Sequence, residues 1–114
     1  MQFLNGYWEI EKVILPNGET KEYQINETID FFQITDKEGF RQKVVPQFDG
    51  TYLTHPLKEK FKISSDDKGT FINYQTNYSQ WKEEISFISN EKFVVKNAQL
   101  IEYHYKRPIK YSLK

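Results

Sequence analysis

Cysteine is absent from this chain of 114 residues. That excludes disulfides, thiol nucleophiles, zinc ribbons and iron–sulfur clusters. It does not fix the compartment, since secreted proteins can also lack cysteine. Alanine occurs once, at Ala98, and no segment keeps a helical period, so helices are not expected to carry the fold. No apolar run approaches the roughly 20 residues that a membrane-crossing helix needs. An excess of one charge is lacking too. Sixteen acidic and sixteen basic residues balance to zero, without the basic surplus that a nucleic-acid binder shows. The one local basic cluster, Lys106-Arg107-Pro108-Ile109-Lys110, reads as a solvated strand end and tail. The N-terminus lacks the basic and apolar regions of a signal peptide. As written, the chain is expected to be soluble and cytoplasmic; a leader removed ahead of Met1 would make it periplasmic or lipoprotein-derived instead.

Aromatic residues are abundant, at 17%, with eight Tyr, nine Phe and two Trp. Tyr, Phe, Ile and Thr suit pleated, half-buried surfaces, so the composition leans all-β. The length suits one domain, residues 1–114, able to bury roughly two-thirds of its unfolded surface without covalent staples.

Alternation begins at Gly6-Tyr7-Trp8-Glu9-Ile10. Trp8, Ile10 and Lys12 share one face, and Tyr7, Glu9, Glu11 and Val13 the other. Gly6 is expected to leave room for a neighbouring backbone. This first strand runs to Leu15 and turns at Pro16-Asn17-Gly18, a strong hairpin signal. A short return, Thr20 to Ile25, is interrupted at Asn26-Glu27-Thr28, and the stretch around Asn26 to Asp30 is the one place where a helical turn is expected. Ile29 to Thr35 follows; its adjacent Phe31 and Phe32 imply either that both faces are partly covered or that a bulge shifts the register.

After Asp36-Lys37-Glu38-Gly39, Phe40 to Phe48 sets Phe40, Gln42, Val44, Pro46 and Phe48 against Arg41, Lys43, Val45 and Gln47. Pro46 places that strand end at an edge, bulge or bend. Asp49-Gly50 turns into a short strand, Thr51 to Thr54, which His55-Pro56 is expected to break. Lys58 to Ser64, Thr70 to Thr76, Gln80 to Ile88, Lys92 to Lys96 and Leu100 to Arg107 complete the set. In the third of these, Trp81, Glu83, Ile85 and Phe87 share a face.

About eight to ten short strands joined by tight turns make an antiparallel up-and-down meander. Such a sheet removes both edges by closing into a β-barrel, and eight strands leave an interior for side chains or one small ligand. A two-sheet sandwich is the competitor, but it needs longer crossing connections than these.

Gly6-Tyr7-Trp8 on the first strand resembles the Gly-x-Trp signature of lipocalins. More closely, the chain is similar to small bacterial lipocalin-like domain proteins, which begin with a Leu-x-Gly-x-Trp-x-Ile strand. They often finish in an aromatic one, here Glu102-Tyr103-His104-Tyr105-Lys106-Arg107. The resemblance implies a calycin-type barrel in which a basic residue near the end, Arg107, packs across Trp8 as a structural plug. It departs from typical lipocalins in length and in lacking a C-terminal helix, a disulfide and a signal peptide. Fatty-acid-binding proteins insert a helix pair after the first strand, for which there is no room here. Their Arg-x-Tyr is also missing, since Tyr105-Lys106-Arg107 runs in the reverse order.

The candidate ligand-binding residues are Phe32, Gln42, Phe48, Tyr74, Trp81, Glu83, Tyr103 and Tyr105. The aromatic ones either fill the core or line a cavity, with tyrosine hydroxyls as polar handles. Glu83 is either inward and then paired or neutral, or turned to water by a bulge. No catalytic residue is expected, because no nucleophile stands beside a predictable base. Neither is a cofactor or a metal: His55 and His104 are the only histidines, and His104 with Glu102 reads as a surface pair. The expected function is non-enzymatic binding of a small apolar or amphipathic ligand inside the barrel. The alternatives are an interaction domain with a filled barrel and a small cavity-based enzyme using Glu83 beside a tyrosine. The expected partners are that ligand alone, without nucleic acid or a membrane span, on a monomer or weak homodimer.

Overall fold

Alternating apolar and polar residues fold into nine antiparallel strands among the residues described, 1–23 and 28–108 of a computed structural model. They are β1 (Gly6–Ile14), β2 (Thr20–Glu22), β3 (Ile29–Thr35), β4 (Glu38–Pro46), β5 (Tyr52–Asp66), β6 (Gly69–Gln75), β7 (Gln80–Ile88), β8 (Lys92–Lys96) and β9 (Glu102–Lys106). A single turn of 3-10 helix, Gln2–Leu4, precedes them. No helix among the described residues is long and apolar enough to cross a membrane. The expected strand end at Ile25, the break that begins at Asn26 and the basic tail beyond Pro108 lie outside the described residues.

Strand order follows chain order from β3 to β9, and β9 then pairs with β1, from Glu9 against Lys106 to Ile14 against Glu102. Eight strands, β1 and β3–β9, therefore close into a barrel, with β2 as an extra strand. One edge of β1 is shared: Gly6–Trp8 pair with β3, and Lys12–Ile14 with β2. Closure satisfies backbone groups that an open sheet leaves exposed at two edges, and the sandwich is excluded.

One end of the barrel is stopped by the first residues folding across it. Leu4 and Trp8 are fully buried, and the indole N–H of Trp8 donates to the Leu4 carbonyl at 2.9 Å. The Arg107 guanidinium lies over the indole, 3.7 Å from the ring centroid. Its three nitrogens donate to the carbonyls of Asn90, Tyr7 and Phe3 at 2.9, 3.1 and 2.8 Å. Gly6 makes this possible. Its φ is +110°, and a Cβ there would sit 3.1 Å from the Arg107 Nη1. The room that Gly6 leaves is thus taken by a guanidinium rather than by a neighbouring backbone.

Bulges correct the inferred faces at two places. In β1 the register shifts between Ile10 and Lys12, so Val13 turns inward with Trp8 and Ile10. In β7 it shifts between Ile85 and Phe87, leaving Phe87 exposed and bringing Ile88 against the core. An extra residue on one strand swaps the faces of everything beyond it.

The outer wall carries a second apolar layer. Phe32 packs inward against Phe61 and Phe93, at 6.0 and 5.7 Å between centroids. Phe31 points out, 4.9 Å from Tyr7 and 6.1 Å from Phe40. Both faces of β3 are covered, the first of the two readings of the adjacent phenylalanines. The cover is the far end of the β4–β5 hairpin. It bends back over the wall until Tyr52 stacks on Tyr7, 4.2 Å apart and 13° from parallel. Ile29 and Val44 are buried beneath it. His55-Pro56 does not break the strand: β5 runs through it, and His55–Leu57 bulge opposite Lys43, between the Gln42–Lys58 and Val44–Thr54 pairs. β6 pairs with β5 only from Lys60 onward, so Pro56 needs no partner for the N–H it lacks.

The plug makes two expectations measurable. Arg107→Ala is expected to lower the unfolding free energy by about 1–3 kcal/mol, from a lost cation–π stack and lost charge-assisted hydrogen bonds. Arg107→Lys should recover less than half, because an ammonium cannot stack and reach three carbonyls together. Urea titration followed by tryptophan emission checks this, and a lysine variant as stable as the parent would contradict it. Gly6→Ala is expected to cost about 1–3 kcal/mol through backbone strain at positive φ, read by the same titration.

Candidate functional site

Antiparallel neighbours directly opposite one another share a face, and this rule builds the interior strand by strand. Phe32 on β3 opposes Arg41 on β4, and Arg41 opposes Glu59 on β5. Asp30 opposes both Trp8 and Lys43. Phe61 on β5 opposes Tyr74 on β6, which opposes Trp81 on β7. Ile72 opposes Glu83, and Phe93 opposes Tyr105. Inward-facing residues near the plug are apolar, while those toward the other end of the barrel include five charged groups.

Arg41 is the centre of that polar half. Its Nε donates to a Glu59 carboxylate oxygen at 2.8 Å, and its guanidinium lies 4.5 Å from the centroid of the Tyr74 ring. Burial works against the Arg41 charge, but Tyr74, Glu59, Tyr105 and Asp30 outweigh it and hold its pKa above the ordinary arginine value. Lys43 pairs with Asp30 at 3.1 Å; the lysine is largely exposed and the aspartate buried.

Glu83 is only 8% exposed, so the inward alternative holds. Among the described residues it has no cation within ion-pair distance. Burial raises its pKa, against the pull of Arg41, and the Asp30 and Glu59 carboxylates add to the rise. Tyr74 stands close enough to favour the ionised form slightly. Even so, the Tyr74 hydroxyl is the one buried side-chain polar atom among the described residues without a partner at hydrogen-bond distance. A buried hydroxyl left so costs about 1–3 kcal/mol. Burial also raises the pKa of Tyr74 and of Tyr105.

Of the residues singled out in the sequence, Phe32, Tyr74, Trp81, Glu83, Tyr103 and Tyr105 share the interior. Trp81 stacks on Tyr74 at 5.0 Å, and Tyr105 on Phe93 at 5.4 Å. Trp81 and Tyr103 are half-buried, while Tyr105 is buried. Two expectations need correcting. Phe48 is not inward; it lies in the turn after β4 and is 83% exposed. Gln42 is buried on the outer face, opposite Phe31, where its amide donates to the His55 carbonyl. The whole face of Phe40, Gln42 and Val44 looks outward, because the folded-back hairpin shields it from water.

That inversion hid Arg41, Asp30 and Glu59 from sequence reasoning. The usable signal was the Phe31-Phe32 pair: once both faces of β3 are covered, apolar character no longer tells which face of β4 looks inward. His104 and Glu102 approach to 3.1 Å on the outer wall, where Glu102 also faces Lys96 at 3.8 Å. Among the described residues no three metal-ligating side chains come together.

No protein-family model and no curated protein matches the chain. Two solved structures do. A lipocalin-like protein from Bacteroides uniformis superposes with a TM-score of 0.55 at 9% identity, covering 93% of this chain and 99% of that one. An uncharacterized protein from Bacteroides eggerthii superposes with a TM-score of 0.56 at 11% identity, covering 92% and 99%. The likeness is one of fold: the chain forms a small lipocalin-like barrel.

Glu83 sets a pH dependence with a definite sign. A carboxyl whose folded pKa is raised contributes stability below the ordinary carboxylate range and loses it as pH rises through the raised value. Glu83→Gln is therefore expected to be more stable than the parent at neutral pH, with the difference vanishing near the ordinary glutamate pKa. Thermal unfolding across that range measures it; a glutamine variant less stable at neutral pH would overturn the assignment.

Proposed function

We propose that the chain is a single-domain, non-enzymatic binding protein that holds a small apolar or amphipathic molecule at the end of its barrel opposite the plug. The observation that carries this reading is the Tyr74 hydroxyl, buried without a hydrogen-bond partner, next to the Glu83 carboxyl, buried without a cation, both beside aromatic rings. A barrel serving only as a packed scaffold gains nothing from them, since buried polar groups are ordinarily paired. A ligand offering one polar group would satisfy both, with Trp81 and Tyr103 against its apolar part. The filled half near the plug, where Trp8, Phe32, Phe61 and Phe93 touch ring to ring, keeps such a ligand at the other end. The lipocalin-like fold supports the reading by analogy only, because one fold serves many functions.

A second reading has its own observation. Val45, Phe48, Leu53 and Leu57 on the β4–β5 hairpin are all exposed, which favours a protein-interaction surface.

Native mass spectrometry and tryptophan emission with a neutral amphiphile such as octanol separate the two. The binding reading expects a one-to-one adduct, weakened about tenfold by Trp81→Ala, for a loss near 1.4 kcal/mol of apolar contact. It expects no change with Leu53→Ser on the hairpin. No adduct, or an adduct lost only in the hairpin variant, would refute it.

A further inference from the structure

Resting on that reading, we propose that the polar half of the barrel selects an organic ammonium with a short apolar tail, with Glu83 and Tyr74 receiving its head. The argument is one of charge matching. The inward charged groups are Asp30 on β3, Arg41 and Lys43 on β4, Glu59 on β5 and Glu83 on β7. Arg41 is matched by Glu59, and Lys43 by Asp30. Glu83 is the carboxyl left over, three against two cations, and it is the most deeply placed one without an ion partner among the described residues.

An incoming carboxylate meets the wrong field here. Each cation already faces a carboxylate, and Glu83 repels a second anion. A neutral head can satisfy the Tyr74 hydroxyl but leaves the local charge unmatched. An ammonium supplies what is missing: a positive charge for Glu83 and an N–H for the Tyr74 oxygen, which accepts it. The Trp81 ring, stacked 5.0 Å from Tyr74, adds an aromatic face of the kind that attracts cations. Arg41 opposes any cation, but its charge is offset at 2.8 Å by Glu59. The raised pKa of Glu83 agrees with a carboxyl awaiting its counter-ion.

The test compares three probes of one tail length, octylammonium, octanol and octanoate, on the whole chain by calorimetry and tryptophan emission. At near-neutral pH octylammonium is expected to bind on the order of tenfold tighter than octanol, and octanoate more weakly than either. Glu83→Gln should remove the advantage of the ammonium over octanol. In the parent chain the same advantage should shrink as pH falls into the carboxylate range. Asp30 and Glu59 face the same interior, so the pH effect must vanish in Glu83→Gln to be assigned to Glu83. If octanol binds but octanoate matches or exceeds octylammonium, the charge assignment is wrong and the binding reading stands. If an ammonium preference survives in Glu83→Gln, the assignment is equally wrong. If no probe binds, both fall.

Discussion

Backbone pairing between β1 and β9 is the contact on which the rest of the molecule depends. It joins the beginning of the chain to its end and turns a curled sheet, with two unsatisfied edges, into a wall with an inside. The pairing is held by an arrangement that is itself long-range. Arg107 lies on the Trp8 indole and ties together Phe3, Tyr7 and Asn90 through their carbonyls. One planar cation thereby ties the first residues of the chain to the turn between β7 and β8. Gly6 is the residue that admits it.

Closure creates two environments rather than one. Near the plug, aromatic rings meet edge to face or tilted and exclude water. Toward the opposite end, charges are interleaved with tyrosines. Buried ions persist only if matched, and two of the three carboxylates are. The third, Glu83, and the Tyr74 hydroxyl beside it make the interior polar half incomplete as it stands.

The wall has a second function in the architecture. The far end of the hairpin of β4 and β5 folds back over the wall, where Tyr52 stacks on Tyr7 beside Phe31. The outer apolar layer buries surface that a chain of this size can use for stability. It also leaves the hairpin's own outward side apolar, at Phe48 and Leu53.

Much of this was legible in the order of residues. Strict alternation, tight turns such as Asn17-Gly18 and the scarcity of alanine determined an antiparallel all-β meander. The early Gly-x-Trp with the late arginine implied its closure. Alternation has a period of two and is local, so it locates strands and divides each into faces. It cannot say which face looks inward when both are covered, as at Gln42 and Arg41, nor where an extra residue swaps the faces, as at Val13 and Phe87. Those choices were made by contacts between residues far apart in the chain: the hairpin laid over β1 and β3, and the pairing registers on either side of each bulge. The sequence by itself therefore determined the kind of sheet and its likeness to a barrel. Only the tertiary structure decided which charges share the interior, because burial is a property of what packs on top of a strand and not of the strand.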